Sequence, residues 1–220
     1  MLRPVIASAL LVSLLSGSIA AQDLKNFGGP ATRAEASMFI GDMTGGKFNG
    51  VFGAVAISYG QPEWKESWTA QAIDAQTKGK TFRLGKDNWA TLDNSCPVTI
   101  GDTTIPAGIW YLAAARSKDG AAWSLVVIDP AKAKAAGAWP FQSEMAPHAY
   151  EARLTHAATT DTVQKLTIAF EPKADNSTQG TLSITWGNQK LTAPVEVKGA
   201  GKGSAKDAAG KTTEGEAKKR

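Results

Sequence analysis

Arg83, Asp87 and Asn88 fall within six residues of sequence, and Trp89 follows them directly. An arginine presents a planar fork that matches a carboxylate or phosphate, and an amide both donates and accepts. The cluster reads as a polar recognition site. The simpler alternative is a structural clamp, because buried polar groups need partners whether or not they bind anything. Trp64 and Trp68 stand four residues apart in the long connection 63–79, the spacing of one helical face. A connection of that length is either functional or a lid over core. Aromatic platforms with few polar groups make ligand sites. The expected ligand-binding set is therefore Trp64, Arg83, Asp87, Asn88 and Trp89.

Other chemistry is sparse. His148 and His156 are the two histidines, and their spacing fits no zinc motif. No metal and no cofactor is expected. Nucleophile-elbow, phosphate-loop and dinucleotide fingerprints are absent from the sequence. An enzymatic alternative is a hydrolase with Arg83 as an electrophilic clamp and His148 as general base. Cys96 is the single cysteine, so no internal disulfide can form, and its place before Pro97 suits a buried structural thiol. Trp110 and Trp123 read as core anchors.

The elements that must position these residues are strands. The stretch 81–129 reads as four strands with three turns. Gly101-Asp102 and Ser117-Lys118-Asp119-Gly120 are hairpin signals between apolar runs. The run 51–59 is a further strand, and 163–197 shows period-two alternation with a two-residue turn expected at Gly187-Asn188. Residues 172–180 read as an exposed loop, 70–75 and 130–137 as short helices, and 138–147 as a loop. The expectation is an all-β fold: an antiparallel β-sandwich or jelly-roll-like barrel of about nine strands.

Several motifs in these strands resemble a known family. The run VAISYGQP at 55–62 resembles a strand ending in Tyr-x-x-Pro. Phe82-Arg83-Leu84-Gly85 with Asn88 and Thr91 resembles a Trp-Arg-x-Gly-x-Asn-x-x-Thr pattern, with Phe82 in place of the tryptophan and one extra residue before Asn88. VTIGDTTIPAGIWY at 98–111 resembles a strand, a glycine turn and an Ile-Pro-Ala-Gly-x-Tyr bend. Together they resemble the bacterial domain of unknown function 2911 family over residues 51–197. The resemblance implies an exported β-sandwich-like domain and brings no established reaction.

The ends differ in composition from the middle. Residues 1–21 carry Arg3, an apolar run and the small residues Ser18-Ile19-Ala20, the pattern of a secretory signal. Export to the periplasm or outside the cell is expected, with 22–50 as a lead-in segment and 51–197 as the domain. Residues 198–220 hold seven basic and three acidic residues and no large apolar ones, which predicts a disordered basic tail. Residues 22–197 hold 16 basic and 17 acidic residues, so the basic character belongs to the tail. This charge distribution argues against a nucleic-acid-binding domain. The expected partners are a small molecule or an anionic envelope polymer, without a transmembrane segment. The leading expectation is a non-catalytic binding module.

Overall fold

Residues 33–199 are described by the computed structural model, and strands dominate them. The strands are β1 (Arg33–Thr44), β2 (Lys47–Gly60), β3 (Lys80–Arg83), β4 (Ala90–Asn94), β5 (Val98–Ile100), β6 (Thr103–Ile105), β7 (Gly108–Arg116), β8 (Trp123–Ile128), β9 (His148–Lys173) and β10 (Asn176–Val197). Two short helices, α1 (Ala70–Thr77) and α2 (Pro130–Ala135), and a 3₁₀ segment, Pro140–Met145, complete them. The signal-like segment 1–21 and the tail beyond Gly199 lie outside the described residues.

Every strand pairing is antiparallel, along the path β1-β2-β4-β7-β8-β9-β10-β5-β6, with β3 beside β7. The all-β antiparallel expectation holds, with ten strands in a sheet that bends over itself without closing. β9 makes the bend. Its first residues pair with β8, whereas Thr155–Lys173 pair with β10. The inward side chains of the two layers meet in one core. Ile57, Leu92, Leu112 and Leu125 come from one layer, and Ile168, Leu182, Ile184 and Val195 from the other. Fully burying one such side chain contributes roughly 1.5–3 kcal/mol.

β8 is apolar on both faces for a reason. Leu125 and Val127 point into the main core, while Val126 and Ile128 pack in a second cluster with Ala133 of α2, Ala113 and Trp89. Asp129 caps α2 by accepting from Ala131 N at 2.8 Å, and Pro130 occupies the first turn, where a missing N–H costs nothing.

Several local expectations change. Residues 80–128 contain six strands, because β3 and β4, which both pair with β7, precede the four expected ones. Part of the lead-in is an edge strand, since β1 pairs along β2 from Arg33↔Gly60 to Thr44↔Lys47. Gly187-Asn188 makes no hairpin. Gly187, at φ 59°, is a bulge inside β10, and the residues on both sides of it pair with β9. The reversal lies instead at Ala174-Asp175, inside the segment expected to be loop. A glycine flanked by strand residues signals a bulge as well as a turn. The segment expected as loop at 138–147 contains the 3₁₀ turns.

Candidate functional site

β3 divides the functional surface in two. Alternation sends Phe82 inward, with Leu84 just beyond the strand, and sends Thr81 and Arg83 to the opposite face. Each face leads to a separate constellation.

On the inward side an apolar cavity of about 110 Å³ opens between the layers. Phe82, Leu84, Ala114 and Trp123 line it from one layer, and Leu166, Ile184, Trp186 and Leu191 from the other. Trp68, Ile73 and Thr77 close it from the segment 61–79. That segment is a cover pinned at two ends. At its start Gln61 Nε2 donates to Leu166 O (3.0 Å), Leu166 N to Pro62 O (3.1 Å) and Trp64 N to Gln164 O (2.7 Å). Trp186 Nε1 donates to Pro62 O at 3.1 Å. Trp64 and Trp68 both meet the Trp186 ring edge-on, with centroids at 4.9 and 5.1 Å. They share this partner although no helix spans them, since α1 begins at Ala70.

At the far end Asp74 of α1 holds the cover to the sheet. Its carboxylate lies 2.7 Å from Arg116 Nη1 and 2.7 Å from Lys78 Nζ. The hydrogen bonds from Lys78 and Arg116 hold the Asp74 carboxyl below the usual carboxylate range. Arg116 Nη1 also donates to Thr77 Oγ1 at 3.1 Å, and its guanidinium lies 4.7 Å from the centroid of the Trp123 ring.

On the outward side a carboxylate, an imidazole and a hydroxyl form a chain. Glu151 Oε1 lies 2.5 Å from His148 Nδ1, and His148 Nε2 lies 3.2 Å from Thr81 Oγ1. A carboxylate only accepts, so Nδ1 donates to Glu151, and in the neutral imidazole Nε2 accepts from Thr81 Oγ1. Arg83 stands two residues along the same face of β3. Its guanidinium lies 4.1 Å from the centroid of Phe141 in the 3₁₀ segment, and it donates to Asp87 O at 3.3 Å. Burial pushes the Arg83 pKa down, against the opposing charge of Asp87.

The five residues expected to bind ligand do not converge. Arg83 ends β3, and Asp87, Asn88 and Trp89 lie in the loop that follows it, where their contacts are largely internal. Asn88 Oδ1 accepts from Trp89 N at 2.8 Å, and Trp89 O accepts from Arg33 Nη2 at 2.9 Å. Asp87 holds φ 66°, a conformation unusual outside glycine. Trp89 is buried and stacks on Tyr111 at 5.0 Å, where the pair borders a wide, shallow groove under α2. Trp64 lies with Trp186 at the cover. Sequence reasoning passed over Thr81 and Glu151, although Glu151 stands three residues from His148. It took Trp123 for core, and the ring does belong to the core while also lining the cavity.

A family model described as "Protein of unknown function (DUF2911)" matches residues 47–195. The chain belongs to the DUF2911 family. No curated protein and no solved structure matches it. The DUF2911 match begins at the first residue of β2 and ends in β10, so both constellations lie within it. Among the described residues no helix is long and apolar enough to cross a membrane.

Proposed function

We propose that this DUF2911 protein is an exported, non-catalytic binding module that holds a small, largely apolar ligand in the cavity beneath the 61–79 cover. The aromatic-lined cavity between the layers carries this reading. Ligand sites favour apolar, aromatic walls with few polar groups. An apolar cavity of about 150 Å³ takes up benzene in another protein, so a volume of this order accommodates one small ring or a short chain. The pattern of residues 1–21 supports the export part of the reading.

Titration with cyclohexanone or toluene tests the reading by methyl NMR. The resonances of Ile184 and Leu191 are expected to shift saturably. Ala114→Leu, which fills the space, is expected to abolish the shift while leaving the spectrum folded. Saturable binding that Ala114→Leu leaves unchanged would place the ligand elsewhere and remove the proposal.

The Glu151–His148–Thr81 chain supports a second reading, hydrolysis of an ester. Thr81 Oγ1 would attack the acyl carbon while His148 Nε2 takes its proton. The base would then protonate the leaving alcohol and activate the water that releases the acid. Arg83 would clamp an anionic group of the substrate. With p-nitrophenyl acetate, Thr81→Val and His148→Ala are each expected to reduce turnover at least about 100-fold. Wild-type turnover equal to that of either variant removes this reading.

A further inference from the structure

The β1–β2 hairpin reaches past the sheet it belongs to. β2 pairs with β4 only from Val55 to Ser58, so residues 41–52 pair with each other and with no further strand among the described residues. β1 alternates regularly here, while β2 carries the extra residues Asn49 and Phe52, so Met43 stands opposite Phe48 and Gly41 opposite Val51. Phe39, Met43, Phe48 and Val51 therefore share one face, and each is more than half exposed. The Phe48 ring lies across Gly41, which closes the gap between Met43 and Val51. Single exposed apolar side chains need no explanation, but a contiguous stripe of them marks an interaction surface.

The charges around the stripe indicate its partner. Gly199 packs against Phe52 at the root of the hairpin, so the basic extension leaves the fold there. Residues 200–220 hold six basic and three acidic residues, a net +3, and Lys47 adds a cation beside the Gly45-Gly46 tip. The acidic side chains on the striped face lie away from the tip, since Glu35 pairs with Ser58 and Asp93 with Ala56. Asp42 points to the opposite face and accepts from Thr44 Oγ1 at 2.8 Å. An apolar tip beside a cationic chain complements an anionic bilayer, with the apolar groups at the acyl boundary and the cations at the headgroups. One apolar insertion alone binds lipid weakly and reversibly, and a basic segment beside it makes the attachment stable. A second copy of the chain fits less well, because it would bring two cationic extensions to one place.

We infer that the β1–β2 hairpin docks tip-first on an anionic lipid surface, with Met43, Phe48 and Val51 entering the bilayer interface and the extension beyond Gly199 meeting the headgroups. This surface is separate from the cavity and does not depend on what the cavity holds. The test uses residues 22–220, because the apolar run 5–15 would bind lipid by itself. Cosedimentation compares vesicles of phosphatidylcholine alone with vesicles of equal parts phosphatidylcholine and phosphatidylglycerol. The protein is expected to bind the mixed vesicles and to bind the neutral ones far less.

Phe48→Ser combined with Val51→Ser is expected to weaken binding to the mixed vesicles by about tenfold or more, the scale of losing two partly buried apolar side chains. Both residues are exposed, so the melting temperature is expected to stay unchanged. An environment-sensitive dye on Phe48→Cys is expected to shift to the blue with the mixed vesicles, and the same dye on Glu35→Cys is not. Cys96 is buried and takes no label. Binding that survives the double serine substitution assigns attachment to the extension alone and overturns the inference. Indifference of the wild type to the mixed vesicles overturns it too, as does an equal dye shift at both positions. A wild-type dimer in solution that the double variant makes monomeric gives the stripe to a second copy and likewise overturns it.

Discussion

Gly187 is the residue on which the cover depends. Its φ of 59° is left-handed, and a Cβ built there would come 2.1 Å from the Trp64 ring. Glycine thus does two things at once: it permits the bulge in β10 and admits the indole that anchors the cover. Gly187→Ala is expected to lower stability by about 1–3 kcal/mol, combining left-handed strain with displacement of Trp64. Chemical denaturation measures this, and an unchanged midpoint would mean that the tryptophan moves aside freely. At this scale the sequence was partly legible. It displayed the glycine, but the same residue marks turns and bulges, and only the long-range pairing with β9 distinguishes them. The alternation of Phe82 with Arg83 was readable, whereas the meeting of His148 with Thr81 brings together residues 67 positions apart.

The far end of the cover rests on Asp74. The sign of the pH effect follows from the lowered pKa of that group. A carboxyl with a depressed folded pKa contributes fully above its unfolded value, about 3.9, and loses the contribution as pH falls through the folded value. The latch is therefore expected to be constant from pH 7 to 5 and to weaken below about pH 4. At pH 7, Asp74→Asn is expected to speed amide exchange in α1 while leaving exchange in β7 and β8 unchanged. Equal acceleration throughout would show that the cover and sheet open together. Among the elements, the β5–β6 and β7–β8 hairpins were legible because their turns carry the backbone chemistry that reversal demands. The length of β9 was not. Its middle, 157–163, is polar and mostly exposed, so no alternation identifies it as strand. It is held by pairing with β10 beyond the core.

At the scale of the whole molecule, the antiparallel fold was legible because binary alternation recurs along most strands, and the layer exchange was not, because bends leave no period. The described fold also refines where the basic extension begins. Lys198 N donates to Pro97 O at 2.8 Å, and a Cβ on Gly199 would lie 2.1 Å from the Phe52 ring, so both residues pack on the domain. Residues 200–220 then carry six basic and three acidic residues, beside a stretch at 22–197 with 16 basic and 17 acidic. We propose that this extension tethers the protein weakly to anionic envelope polymers. Attraction of this kind acts within about 8 Å at physiological salt and fades as salt rises. Removing residues 200–220 is expected to leave the melting temperature unchanged, since the extension has no large apolar side chain to bury. The same truncation is expected to abolish low-salt retention on a sulfonated matrix, which the full chain should show and lose by about 0.3 M salt, where the screening length falls below roughly 6 Å. Retention that survives the truncation would assign the anion-binding surface to the domain, and a fall in melting temperature would show that the extension packs against it.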